Sequence, residues 1–219
     1  GGSSMSSIKL KHSGGNAVSL HPPTSAPSSS DVQFKLPTAD GSAGQVLKSD
    51  GSGNLGFVAQ SLAGITEFDM WNMTGNHSAD SGSPLNNSLV RVDTSYGAAQ
   101  IGTGMSKDTS TGVFTFPSTG KWVIFVNVHM YLQGDDNAGI GTQVTTNNSS
   151  YTTRALAYIG QHEGSSTAQS ACSIFFLDVT DTSNVKVRFV PDSLATDSYI
   201  TGSSTYVRTS FTFIRIGDT

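Results

Sequence analysis

The chain has 219 residues, a formal net charge of −4 at pH 7 and a charged fraction of 13%, which is about half of the usual fraction of roughly 25%. The 24 glycines and the many serines and threonines favour β-structure and turns over helices. The acidic balance provides no basic footprint for nucleic acid. No apolar run reaches the length of a transmembrane helix, so we also expect no membrane insertion.

The single cysteine, Cys172, excludes an internal disulfide framework. It lies within an apolar run, and we predict that it is a buried free thiol.

The first 60 residues differ in character from the rest of the chain. Residues 1–5 are interpreted as a remnant of expression cloning followed by a start methionine, with no signal peptide ahead of the chain. Residues 6–60 contain short apolar alternations separated by turn clusters, which predict β-hairpins. Their large apolar side chains are too few to build a core. The segment is therefore either a flexible arm or a stalk buried between identical copies, and the regular alternation favours the stalk.

Residues 61–75 are expected to form a hinge and the first strand of a larger domain, although periodicity leaves an edge strand and a helical turn both open. Further strands are predicted at 112–117, 121–132, 140–146, 153–161, 168–180, 184–190 and 205–216. Such regular spacing without a helical window indicates an all-β, antiparallel jelly-roll β-sandwich over residues 64–219. The strand at 121–132 is apolar on both faces, which predicts a neighbour on its back.

Residues 112–125, GVFTFPSTGKWVIF, resemble the signature of the globular head of complement component one-q and of its relatives in the tumour necrosis factor superfamily. That signature has Gly-x-Phe, two spacers, Pro, two spacers, Gly and then an aromatic-rich strand. The hairpin at 177–187 and the closing segment 205–216 are similar to the family's last strands, although Phe213 stands where the family usually has glycine. The resemblance implies a homotrimer. It assigns these aromatic residues to the core or to subunit contacts: Trp122, Phe125, Tyr206, Phe211 and Phe213.

Three segments are also similar to structural proteins of marine tailed bacteriophages. They are residues 8–16 (IKLKHSGGN), 44–55 (GQVLKSDGSGNL) and 65–71 (ITEFDMW). In those proteins such hairpins precede a head of this type, and there is no collagen stalk here. The resemblance implies a virion protein, a tail fibre or knob with a trimeric stalk and a trimeric head, whose stalk contacts other virion proteins.

No pattern of catalytic residues is present, so we expect no enzymatic activity and no cofactor. Residues 51–56 fit a dinucleotide-binding fingerprint by letter, but another short strand follows instead of a helix, so a turn is favoured. The sequence lacks the Gly-x-Ser-x-Gly motif of serine hydrolases. The run Asp135-Asp136-Asn137 offers adjacent oxygen ligands for calcium, and a solvated turn is the other interpretation.

Polar, turn-rich segments at about 75–88, 133–139, 162–168 and 191–204 become the distal loops if the strands alternate up and down. Their candidate ligand-binding residues are Asp135, Asp136, Asn137, His162, Glu163, Asp197 and Tyr199. Such acidic, amide and tyrosine groups suit a saccharide or a polar protein on a host surface, and three copies add avidity. One function is therefore a trimeric fibre that attaches to a host receptor. The alternative is a capsid or tail decoration or connector protein with a purely structural role.

Overall fold

The computed structural model describes residues 8–27, 32–60, 64–78, 82–98, 100–134, 136–162 and 165–219. The chain divides into two compact units, Gly1–Leu62 and Ala63–Thr219. We call them the N-terminal unit and the head and describe each by itself. The interpretation of residues 1–5 lies outside the described residues.

The N-terminal unit consists of two hairpins. Strands β1 (Ile8–Lys11) and β2 (Ala17–Leu20) form the first hairpin, and β3 (Gln45–Ser49) and β4 (Leu55–Ala59) form the second. The glycine-rich run at 51–56 turns between β3 and β4, with positive φ angles at Gly51 and Gly53, as a hairpin requires. No described residue of this unit is buried. Its exposed large apolar side chains are Ile8, Leu10, Val18, Leu20, Val32, Phe34, Leu36, Val46, Leu47, Phe57 and Val58.

The head is a sandwich of two antiparallel sheets, which confirms the predicted all-β jelly roll. Its strands are β5 (Phe68–Met73), β6 (His77–Ser78), β7 (Leu89–Arg91), β8 (Ser106–Lys107), β9 (Phe114–Thr115), β10 (Gly120–Leu132), β11 (Asp136–Thr145), β12 (Thr152–Gln161), β13 (Thr167–Val179), β14 (Lys186–Asp192), β15 (Tyr199–Ile200) and β16 (Ser210–Gly217). The first sheet has the order β6-β15-β10-β16-β5-β7, with β13 also paired to β10. The second sheet has the order β12-β11-β14-β9-β8.

Helix is limited to one short turn in the described parts of the chain. This 3-10 turn spans Thr94–Tyr96 and has three residues. No described helix is long and apolar enough to cross a membrane.

The core lies between the two sheets and is rich in aromatic rings. The inward face of β10 is buried along its whole length, from Trp122 to Leu132. Phe189 stacks on Phe211 with ring centroids 4.0 Å apart, and Phe114 lies 5.2 Å from Phe213. Trp122, Phe211 and Phe213 are thus core residues, whereas Phe125 and Tyr206 are exposed.

The turn that leads into β10 requires Gly120, the second glycine of the motif at residues 112–125. Gly120 has a φ of +142°, and a Cβ atom there would lie 2.6 Å from the carbonyl oxygen of Gly217 in β16. Glycine lets the chain enter its longest strand while remaining in contact with the C-terminal strand.

Three element boundaries differ from the sequence-based expectation. Strand β5 is an interior strand, paired with β16 on one side and β7 on the other. Strand β16 begins only at Ser210, because the preceding loop is held by Asn72, which donates to the carbonyl oxygen of Ser203 at 2.8 Å. Strand β11 begins at Asp136, so Asp136 and Asn137 are strand residues and not loop residues.

Candidate functional site

An apolar surface covers the outward side of the first sheet. Four adjacent strands, β5, β16, β10 and β13, contribute residues in register. These residues are Phe68, Met70, Val123, Phe125, Ile174, Phe176 and Ile214, and we call them the outward apolar face. Ile174 is 61% exposed and Phe176 is 52% exposed. The neighbour predicted on the back of β10 is therefore not supplied by the described residues of the chain.

The prediction that Cys172 is buried is wrong, because Cys172 is exposed. It lies on β13 opposite Asn127 of β10. Side chains alternate along a strand, so only half of the apolar run around Cys172 points into the core. Cys172 shares the outward side of the sheet with Ile174 and Phe176.

His129 lies on the same side of the sheet, beyond the apolar residues. Its Nδ1 atom is 2.6 Å from the hydroxyl oxygen of Thr201. Burial, and then the positive charge of Arg208, lower the pKa of His129 below its usual value. The neutral imidazole is thus the favoured form at this position.

The polar loops of the head meet at one end of the sandwich in their described parts. Leu132 at the end of β10 is opposite Thr167 at the start of β13. Asp136 at the start of β11 is opposite Gln161 at the end of β12. The short strand β15 pairs with the same end of β10. We call this the distal end of the head. The C-terminal strand β16 pairs with the other half of β10, from Lys121 to Asn127, so the C-terminus of the chain lies at the opposite end.

Asp136 is a structural residue of the distal end. It is buried, and its carboxylate accepts hydrogen bonds from the hydroxyl of Ser198 and, at 2.8 Å, from the backbone N–H of Asn137. Ser198 in turn accepts from the backbone N–H of Gln133 at 3.1 Å. Asp136 therefore joins two loops and offers little of its carboxylate to a ligand.

A cleft of about 610 Å³ opens at the distal end, and three of the predicted residues line it. Its lining residues are Asp136, Asn137, Gly160, Gln161 and His162. The side-chain nitrogen and oxygen of Gln161 are both buried, and neither has a hydrogen-bond partner among the described residues. The Asn137 oxygen accepts from the Tyr158 hydroxyl at 2.9 Å. Gln161 pairs with Asp136 and so shares its face of the sheet, which leaves Asn137 and His162 as the exposed side chains that the cleft offers to a ligand with hydroxyl or amide groups.

Two other predicted residues, Asp197 and Tyr199, do not line this cleft. Asp197 is exposed in a loop with a φ of +72°. The Tyr199 ring stacks on Tyr131, with centroids 4.9 Å apart. Asp135 and Glu163 lie outside the described residues.

Calcium binding at residues 135–137 stays a prediction. The side chains of Asp136 and Asn137 project to opposite faces of β11, because they are consecutive strand residues. Among the described residues, no group of three or more His, Cys, Asp or Glu side chains could hold a metal ion.

Sequence reasoning missed two residues of the distal end, Tyr158 and Gln161. Both lie in the regular strand β12, whereas the sequence predicts binding groups in the loops. The alternation of β12 offered a signal, since exposed Tyr158 lies between buried Ala157 and Ile159.

Comparison with known proteins supports the fold. No protein-family model matches the sequence, and the comparison with curated proteins finds no similar sequence. Among solved structures, Eiger TNF from S. frugiperda matches with a TM-score of 0.56 and 11% identity, over 71% of this chain and 96% of that chain. Murine APRIL matches with a TM-score of 0.48 and 10% identity, over 68% and 98% of the two chains. The first match shows that the head has a tumour necrosis factor-like jelly-roll fold.

Proposed function

We propose that this chain is a non-enzymatic, homotrimeric fibre or knob protein of a tailed bacteriophage virion. Its head binds a host-surface glycan or protein through the distal end. The observation that carries the proposal is the outward apolar face, because large exposed apolar surfaces on soluble domains mark interaction sites. In a homotrimer, a second copy of the chain is the partner that would cover this face.

The N-terminal unit supports self-association independently of the head. Its two hairpins leave most of their large apolar side chains exposed, and isolated hairpins are marginally stable in water. Association of identical copies would bury these side chains and cover the strand edges.

The distal end supports the binding role. The cleft brings the exposed side chains of Asn137 and His162 together. Three copies in one assembly raise weak binding at single sites by avidity, without any new contact. The assignment to a phage virion rests on the similarity of residues 8–16, 44–55 and 65–71 to phage structural proteins.

Adsorption of the fluorescently labelled full chain to a panel of marine bacteria tests the proposal. We expect His162→Ala and Asn137→Ala to reduce adsorption at least about tenfold, since polar contacts at an interface centre each contribute on this scale. The control is Ser150→Ala, in the loop at the opposite end of the second sheet. Unchanged adsorption by both distal variants, with the molar mass preserved, would contradict the binding role.

The alternative function is a capsid or tail decoration or connector protein. The exposed apolar hairpins of the N-terminal unit favour it, because they also suit contact with another virion protein. Deletion of residues 6–60 separates the two functions. A connector loses attachment to the particle, whereas a receptor-binding head keeps its adsorption to cells, weakened at most by reduced avidity.

A further inference from the structure

We propose that the outer face of the second sheet is a saccharide-binding groove, which runs from the distal cleft across Tyr158 to a cavity at Gly141. The inference rests on the proposed function, and it names the ligand class and the residues that hold the ligand. Strand β11 forms the floor of the groove, and β12 and β14 flank it.

The first observation is a pair of glycines inside β11. Gly139 and Gly141 alternate with Ala138, Ile140 and Thr142, which are buried in the core. The glycines therefore both project toward the outer face. Glycine in a strand interior weakens the strand, and it often marks a place where a ligand or another group approaches the backbone.

Gly139 allows an aromatic ring to lie on the sheet. A Cβ atom at this position would be 2.4 Å from Cδ2 of Tyr158, so the ring occupies the space above the glycine. The ring is held at its rim, where the Tyr158 hydroxyl donates to the Asn137 oxygen at 2.9 Å. Tyr158 remains 42% exposed. It is thus a fixed aromatic surface that faces solvent, with an apolar face and a polar edge.

Gly141 leaves a cavity beside this ring. The cavity has a volume of about 240 Å³, and its lining residues are Gly82, Gly141, Gln143, Thr153, Leu156, Val190, Pro191 and Asp192. A Cβ atom at Gly141 would have its closest contact, 3.2 Å, with Cγ2 of Thr153. The fold therefore tolerates a small side chain there far better than at Gly139. A Cβ atom at Gly141 would require the Thr153 methyl group to move by a few tenths of an ångström, whereas a Cβ atom at Gly139 would collide with an aromatic ring and a carbonyl oxygen.

The chemistry of the cavity suits one sugar ring. Leu156, Val190 and Pro191 offer apolar contact for a C–H face, while Gln143, Thr153 and Asp192 offer polar groups for hydroxyls. The cavity lining contains no lysine or arginine, so an anionic ligand would meet only the Asp192 carboxylate. The volume lies below the roughly 300–1,000 Å³ of sites for drug-sized ligands.

The groove extends to a second site on the other side of Tyr158. Tyr158 pairs with Gly139, which lies between Asn137 of the distal cleft and Gly141 of the cavity along β11, so the register places the ring between the two sites. Two sites separated by one aromatic ring match a linear oligosaccharide better than a single monosaccharide. The proposed subunit contact uses the first sheet, so it leaves this outer face of the second sheet accessible.

Saturation-transfer NMR on the full chain tests the inference. The probes are glucose, galactose, mannose and N-acetylglucosamine, each also as a linear tetrasaccharide. We expect saturation transfer to at least one sugar, with tighter binding of its tetrasaccharide. Gly141→Val fills the cavity and Tyr158→Leu removes the ring, so each should weaken that binding at least about tenfold. The matched control is Gly217→Val, where an added side chain meets no neighbouring atom.

The unfolding midpoint of each variant shows whether it folds, and Gly141→Ala provides a milder change at the same position. Two results would overturn the inference. One is the absence of saturation transfer to every sugar. The other is wild-type affinity for the sugar in both Gly141→Val and Tyr158→Leu. If these variants adsorb to cells normally while His162→Ala does not, the proposed function stands and the groove is wrong. If sugars bind in the groove but the wild-type chain neither associates nor adsorbs, the groove stands and the proposed function is wrong.

Discussion

Asp69 is the buried charge on which the first sheet depends most. It is 1% exposed, and its carboxylate accepts from Arg91 Nε at 2.9 Å, from Trp71 Nε1 at 2.9 Å and from the backbone N–H of Met105 at 2.7 Å. Arg91 also donates to the carbonyl oxygen of Met105. The network joins β5, β7 and the loop before β8, so the ion pair fixes the edge of the sheet.

We expect Asp69→Ala to lower the free energy of unfolding by about 3 kcal/mol, because it leaves the Arg91 guanidinium and two N–H donors without their acceptor. The control is Asp178→Ala, which removes an ion pair with Lys121 between half-exposed side chains and should cost less than about 1 kcal/mol. Denaturant unfolding at one fixed protein concentration measures both. Equal losses would contradict the assigned role of Asp69.

His129 gives the head a pH dependence with a definite sign. Its pKa is lowered in the folded chain by burial and by Arg208, so the unfolded chain binds a proton more readily. This group therefore destabilises the fold as the pH falls through the ordinary histidine pKa of about 6.5, and it has no effect well above that value. We expect His129→Gln to lose less stability than the wild type between about pH 7.5 and about pH 5. Parallel pH profiles would contradict this assignment.

At the residue scale, the sequence alone separates core positions from outward positions only in part. Alternation along β10 places Trp122 and Phe125 on opposite faces of the strand, and it does not say which face is the core. Nor does it reveal that no other described part of the chain covers the face that carries Phe125. The error at Cys172 has the same origin, because an apolar run predicts burial on both sides of a strand, whereas β13 is covered on one side only.

At the scale of elements, the corner before β10 is the most constrained position. We expect Gly120→Ala to destabilise the chain by about 1–3 kcal/mol, because the new Cβ meets the Gly217 carbonyl oxygen in a backbone region that other residues rarely adopt. Gly217→Ala is the matched control, since its Cβ has open space. A thermal or denaturant midpoint for Gly120→Ala equal to that of the control would contradict the account of this corner.

The long strands of the head could be predicted from the sequence, and the short ones could not. Strands β10 to β14 and β16 have seven or more residues each, which is long enough for an apolar pattern to be visible. Strands β6, β7, β8 and β15 have two or three residues each, which is too short for any periodicity. The pairing of β5 between β16 and β7 depends on long-range contacts that no local pattern carries.

The sequence predicts which loops form the candidate site. It does not predict which side chains of those loops are free to bind a ligand. The up-and-down alternation of the strands predicts that the polar loops lie at one end of the sandwich. Whether Asp136 presents its carboxylate to a ligand or binds Ser198 depends on a contact between residues that are 62 positions apart. Gly139, Gly141 and Tyr158 belong to regular strands, so only the paired register of β11 and β12 brings them together.

At the scale of the whole molecule, a single charged substitution on the outward apolar face should reduce association without unfolding the head. Ile174 lies within the outward apolar face and is the most exposed of its large side chains. We expect Ile174→Glu to reduce association strongly while the head keeps its β-sheet circular dichroism, because the substitution places a carboxylate in a contact that must be desolvated. Full association of Ile174→Glu would contradict the use of this face.

In a homotrimer, identical copies would cover the outward apolar face and the hairpins of the N-terminal unit. Light scattering on a sizing column measures the molar mass of the purified full chain directly. We expect a value close to three times the 22.8 kDa of one chain. A value of one chain mass across the accessible concentration range would contradict it.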